Sequence, residues 1–171
     1  MITVDEVMVR TLYTLGPDAS VFEARTMMER KNIRHIPIVA NGDGDILLGI
    51  VTQRDLLAAS SSSLRLLSVD QRTKLERSHK VREVMTRKVH TIDERDSLKS
   101  AALLLRKHKY GCLPVVTEGK LRGLVTDTDF VGIAVHLIEQ MEEMSGYDDV
   151  SEVQFDVDDL TDESLLKKDF A

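Results

Sequence analysis

The chain has 171 residues, 42% hydrophobic and 30% charged, enough for one packed domain or two half-sized units sharing a core. No apolar run approaches the ~20 residues that span a bilayer, and the leading MITVDEVMVR lacks the basic and apolar regions of a signal peptide, so a cytoplasmic protein without membrane insertion is expected. The net charge of −6 is concentrated at one end: nine acids against Lys167 and Lys168 give residues 147–171 a charge of −7 and leave +1 for residues 1–146, which argues against nucleic acid as a primary partner.

In chain order, a short β segment at Val9–Leu15 leads to a helix start at Asp18–Ser20. Val21, Ala24, Met27 and Met28 follow at helical spacing. Ile36–Val39 then pairs with Leu47–Thr52 as a hairpin across the Gly/Asp/Asn turn at 41–45. A helix after Asp55 fades into the Ser-rich stretch Ala58–Ser63, and a further helical stretch at Leu64–Leu75 links to the second half. There the order returns: a β segment at Lys88–Ile92, a helix start at Asp93–Ser97, and Leu98, Ala101, Leu104 and Leu105 on one helix face. A hairpin of Leu113–Thr117 with Leu121–Thr126 turns at Glu118-Gly119-Lys120. After Asp129, Phe130, Ile133, Ala134, Leu137, Ile138, Met141 and Met144 recur at helical steps and predict a long amphipathic helix. The acidic tail 147–171 has little helical order and reads as disordered, although Phe155, Leu160, Leu165 and Phe170 give it apolar points for docking.

The halves are a duplication. VDEVMVR at 4–10 returns as VREVMTR at 81–87, and IRHIPIV at 33–39 as YGCLPVV at 110–116, both at an offset of 77. GIVTQRD at 49–55 matches GLVTDTD at 123–129 at an offset of 74. The three lost residues fall in the hairpin turn, where a duplicated unit tolerates a length change.

The sharpest chemical feature is T-x-x-D after each hairpin, Thr52/Asp55 and Thr126/Asp129. Two readings stand. Thr can cap the helix while Asp reaches back to it, a capping box that needs no ligand. Alternatively, the Thr hydroxyl and free N–H groups of the first turn hold a phosphate oxygen, and Asp accepts hydrogen bonds from a ribose diol. A Gly three residues before Thr permits close backbone approach.

The order β-α-β-β-α, twice, with V-M-T/V-R and G-I/L-V-T-x-x-D in each half and R-H-I-P-I-V in the first, resembles the CBS domain family. The resemblance covers 1–146 and implies an α/β fold of two repeats related by pseudo-two-fold symmetry. The limits it implies are repeat one at 1–60, a helical linker at 61–80, repeat two at 81–146 and the acidic tail at 147–171. It also implies a regulatory module, not an enzyme, with an adenine nucleotide or S-adenosyl compound as regulatory ligand and no required cofactor. Two clefts lie between the paired repeats, each taking its Asp from one repeat and the first strand from the other. Carried over, pocket one uses Ile50, Thr52, Arg54 and Asp55, with Arg34 towards phosphate and Lys88, Val89, His90 and Pro114 from the other half. Pocket two uses Leu124, Thr126, Thr128 and Asp129, with Thr11, Leu12, Tyr13 and Pro37. Gly111 stands where Arg34 stands in the first repeat and Thr128 replaces Arg54, so pocket one is expected to bind a phosphorylated adenosine better. A homodimer through the long helix and a separate effector protein are the partners implied; the competing reading is a non-catalytic scaffold with empty clefts and a partner-binding tail.

Other residues carry less. His35, His79, His90, His108 and His136 show no metal-ligand spacing, though His35 and His90 fall near the clefts. Cys112, alone in the chain, cannot form an intramolecular disulfide and reads as a buried structural thiol in a reducing compartment. The turn NGDGD lacks the Glu at position twelve of a calcium loop. No nucleophile elbow, Ser-His-Asp order or P-loop is present.

Overall fold

Two antiparallel hairpins carry the architecture. In a computed structural model, which describes residues 1–40, 46–61 and 68–145, the first hairpin pairs β1 (His35–Val39) with β2 (Leu47–Thr52) and the second pairs β3 (Cys112–Thr117) with β4 (Lys120–Thr126). Their registers are equivalent: His35 faces Thr52 as Cys112 faces Thr126, and the register shifts at Ile38/Val39 and again at Val115/Val116. The turn at 41–45 lies outside the described residues, as do 62–67 of the linker and the tail from 146.

Each hairpin is preceded by a helix and followed by one. α1 (Val21–Lys31) starts at Ser20, whose hydroxyl accepts from Glu23 N–H while the Glu23 carboxylate accepts from Ser20 N–H. α5 (Leu98–His108) starts likewise at Ser97. Both expected helix starts thus hold a Ser cap. Each helix ends on a non-glycine residue at positive φ, Asn32 and Lys109, which turns the chain back towards the sheet. α2 (Gln53–Ser61) and α6 (Asp127–Ser145) follow the hairpins directly. The linker helix is α3, Val69–Ser78, shifted C-terminally from the expected 64–75 because Ser68 and Gln71 form a capping box there. Residues Met1–Gly132 form one unit; Ile133–Ala171 form a second, in which the described residues continue α6.

Within the first unit the leading segments are exchanged. Val4, Met8 and a short 3₁₀ turn at Val4–Glu6 bury into a cluster with Ala101, Leu105, Leu113, Val115 and Val125. Val81 and Met85, from α4 (Val81–Val84) and its C-cap, bury with Val21, Ala24, Met28, Ile36, Ile38 and Val51. The V-x-x-V-M motif of each repeat is therefore a core segment of the other. Val9 exchanges backbone hydrogen bonds with Leu124, and Thr86 with Ile50. This also explains the prolines: Pro37 lies opposite Ile50 and Pro114 opposite Leu124, residues whose N–H and C=O already pair with Thr86 and Val9. The missing proline donor leaves no partner unsatisfied.

The exchange corrects the two expected β segments. Only the ends of Val9–Leu15 pair, Val9 with the other repeat and Leu15 with Ile38 of its own; of Lys88–Ile92, only Ile92 pairs, with Val115. The middles are straps that cross from one hairpin to the other and join neither ladder.

Candidate functional site

The straps form the walls of two clefts within the first unit. Cleft one, a cavity of about 240 Å³, is lined by Ile50, Thr52, Arg54, Asp55, Lys88, Val89 and His90, together with His35, Thr86, Lys109, Tyr110, Gly111 and Cys112. Cleft two, of about 290 Å³, is lined by Leu124, Thr126, Thr128, Thr11, Leu12 and Tyr13, together with Val9, Asn32, Ile33, Arg34 and His35. Under the repeat offsets the linings correspond position by position: Lys88 with Thr11, His90 with Tyr13, Lys109 with Asn32, Tyr110 with Ile33, Arg54 with Thr128.

At the head of each cleft the Thr/Asp pair is a capping arrangement. Thr52 donates from both its N–H and its hydroxyl to Asp55 Oδ2, each at 2.8 Å, and Asp55 N–H donates to Thr52 Oγ1 at 3.3 Å. Thr126 N–H and hydroxyl donate to Asp129 Oδ2 at 2.7 and 2.9 Å. The capping reading holds in full at Thr52/Asp55, while at Thr126/Asp129 the bonds run from Thr126 to the Asp129 carboxylate. The fold also limits the phosphate reading, because N–H groups expected to be free are taken: Gln53 N–H donates to Arg34 O and Asp127 N–H to Gly111 O. Those bonds tie each helix start to the residue ahead of the hairpin.

Four residues sit elsewhere than expected. The Pro37 and Pro114 side chains are fully buried and line neither cleft; each sits mid-strand, on the face opposite its core neighbours Ile36 and Ile38 or Leu113 and Val115. Asp129 is held on Thr126 and is not among the residues lining cleft two. Arg34 lines cleft two, not cleft one. Placed just before β1, it reaches across to the start of α6, where Nη2 lies 3.2 Å from Thr128 Oγ1 and 3.4 Å from Asp127 Oδ1.

A larger groove of about 510 Å³ lies between the clefts and includes Arg34, Arg54, Lys109, Gln53 and Asp127. His35 lines the groove and both clefts. Burial, and next the Arg34 charge, hold its pKa below the ordinary 6.5. A Cβ on Gly111 would stand 2.7 Å from His35 Nε2, so the glycine makes room for the ring. In cleft one His90 stacks on His108 with centroids 5.2 Å apart, and His108 on Tyr110 at 5.1 Å. In cleft two the equivalent contact is Lys31 Nζ over the Tyr13 ring at 4.7 Å. Burial pushes the Cys112 thiol up to about 12, which keeps it a protonated wall atom and no nucleophile. Among the described residues no group of His, Cys, Asp or Glu is placed to hold a metal ion, and no helix is long and apolar enough to cross a membrane.

Sequence reasoning missed Lys109, Tyr110, Asn32 and Ile33 as lining residues. Their signal was available: each immediately precedes a hairpin at matching repeat positions. Which wall they face depends on the left-handed turns at Asn32 and Lys109.

The sequence pattern of the CBS domain matches residues 4–62 and again 81–136. The chain belongs to the CBS domain family. A CBS domain-containing protein of Dictyostelium discoideum is 31% identical over 145 residues, 84% of this chain and 99% of its own length. AcuB of Vibrio cholerae, a candidate acetoin utilization protein, superposes with a TM-score of 0.69 at 42% identity, covering 84% of this chain and 97% of its own. The CBS-pair protein CBSX2 of Arabidopsis thaliana, solved in complex with AMP, has a TM-score of 0.65 at 26% identity over 81% of this chain and 99% of its own. Inosine-5′-monophosphate dehydrogenase of Staphylococcus aureus is 34% identical over 117 residues, and the matched part is 21% of that enzyme. The two CBS repeats here are thus a tandem pair, built as in stand-alone CBS-pair proteins.

Proposed function

We propose that this CBS pair is a cytoplasmic, non-catalytic regulatory module that binds adenosine-containing ligands in its two clefts. The observation that carries the reading is the equivalence of the clefts: each joins a Thr-capped helix start of one repeat, Thr52 with Asp55 in cleft one and Thr126 in cleft two, to a strap and leading segment that belong to the other. The AMP complex of the CBSX2 pair supports the choice of ligand class.

Capping and binding are compatible on this geometry. Both Thr52 bonds fall on Asp55 Oδ2, and the same carboxylate retains Oδ1 as an acceptor for a ribose hydroxyl. The base lies against the strap, between Val89 and Ile50 in cleft one and between Leu12 and Leu124 in cleft two. Because each strap is anchored to one hairpin at its start and to the other at its end, a ligand against it braces the two repeats. A ligand shifts such an equilibrium only through different affinities for two arrangements, typically 1–3 kcal/mol of coupling. The apolar positions Leu137, Ile138, Met141 and Met144 of α6 are exposed, which supports a homodimer or a separate effector protein as the receiver of the signal. The limits 1–60, 61–80, 81–146 and 147–171 remain our division of the chain.

A thermal-shift panel of AMP, ADP, ATP and S-adenosylmethionine tests the reading. A ligand at 100 times its Kd raises stability by about 2.7 kcal/mol. A flat response to all four would leave the scaffold reading, with empty clefts and the acidic tail as the binding element.

A further inference from the structure

Resting on the adenosyl reading above, we infer that the two clefts take different ligand classes: cleft one a phosphorylated adenosine, cleft two an adenosine derivative without phosphate. The inference rests on what replaces what at equivalent lining positions. Apolar and hydroxyl positions are kept, Ile50 by Leu124 and Thr52 by Thr126. Three cations are not. Arg54, Lys88 and Lys109 of cleft one become Thr128, Thr11 and Asn32 in cleft two. Each replacement is neutral, short and able to hydrogen-bond, so the second cleft remains polar while losing the charge that a phosphate chain needs. Among the described residues none of the three cations forms an ion pair, so all three charges are available to an anion.

The one change in the opposite direction is Gly111 to Arg34. Arg34 brings one lining cation to cleft two, where Lys31 is held on the Tyr13 ring, and the Arg34 guanidinium already faces Asp127 at 3.4 Å and Thr128 at 3.2 Å. A phosphate there meets the Asp127 carboxylate as well as the guanidinium, and the like-charge contact offsets the gain. Beyond the Leu12 and Leu124 that flank the base, the second lining has Val9 and Ile33, which suit an apolar 5′ substituent. The module then reads two adenosyl pools at once, one anionic and one not.

Isothermal titration on the full chain decides the matter, with ATP and 5′-methylthioadenosine as probes. The expected result is one ATP per chain, and one 5′-methylthioadenosine that still binds when ATP is saturating. Replacing the triple set Arg54→Thr, Lys88→Thr and Lys109→Asn, all exposed side chains, should weaken ATP at least about tenfold, the scale of one or more charged hydrogen bonds. The same variant should leave the 5′-methylthioadenosine site of the ATP-loaded protein unchanged. Two equal ATP sites per chain, or full displacement of 5′-methylthioadenosine by ATP, would overturn the division while leaving adenosyl binding intact. No heat from either probe would remove the adenosyl reading, and the division with it.

Discussion

Ile36, Ile38 and Val51 in the first hairpin and Leu113, Val115 and Val125 in the second occupy equivalent positions, and all six are fully buried. A few ångströms away, Arg54 has become Thr128, Lys88 has become Thr11 and His90 faces the place of Tyr13. The contrast separates two constraints. A buried aliphatic side chain is held by close packing on all sides, so its apolar character and approximate bulk persist through duplication, as Ile36 and Leu113 or Val51 and Val125 show. A cleft-lining side chain has open space on one side, so packing does not fix its size or charge, and it is free to diverge. The two repeats are alike where they support each other and unlike where they face an open cavity.

The largest effects should fall on the shared part. Leu113→Ala and Ile36→Ala each remove a fully buried side chain and should cost about 3–4 kcal/mol in urea unfolding. Near-equal losses and a single transition are expected, because each core includes a segment of the other repeat; two separated transitions would break the comparison. Next come the glycines. A Cβ on Gly49 would lie 2.6 Å from the Thr86 carbonyl oxygen, whereas on Gly123 the 2.6 Å contact is with the flexible Met8 sulfur and the backbone, at Val9 O, stands back at 3.0 Å. Gly49→Ala should therefore cost about 2–3 kcal/mol and Gly123→Ala about 1, since a side chain yields more readily than backbone.

Smaller again is the cap. Thr52→Ala removes the hydroxyl that bridges Asp55 Oδ2 and Asp55 N–H, at about 1 kcal/mol in stability. A loss of ATP affinity larger than this by a factor of ten in equilibrium constant would show that Thr52 meets the ligand directly. The smallest effect is with pH. His35 has its pKa lowered by burial, so the unfolded chain takes up the proton first. Its contribution is complete above pH 6.5 and is lost as pH falls below that value towards the folded pKa. Glu23, lowered by its bonds from Ser20, adds a second loss as pH drops below its ordinary 4.5. Replacing His35 by Asn should flatten the first slope in a Tm-versus-pH series and leave the second.

Much of this was legible in the residues. The duplication, both hairpins, the Ser20 and Ser97 helix starts and the buried faces of α1 and α5 follow from periodicity and turn chemistry, which act over a few neighbouring residues. The T-x-x-D pairs were legible as caps for the same reason, and most of the two linings followed from the family resemblance. Pro37 and Pro114 were misplaced because a strand position reveals alternation but not which face meets a cavity. The close backbone approach that the sequence reads at Gly49 and Gly123 is made by the other repeat, through Thr86 and Val9.

The sequence by itself determined the two-fold repetition, the local elements and the loss of cationic positions in the second half, because composition and spacing are properties of the chain. Only the tertiary structure decided that Val4–Met8 and Val81–Met85 trade places, that the straps cross between hairpins, and that Arg34 serves the opposite cleft from the one its motif suggested. Those facts depend on which surfaces bury each other, and burial joins residues as distant in sequence as Val4 and Val125 or Val81 and Val21, whose proximity no local pattern records.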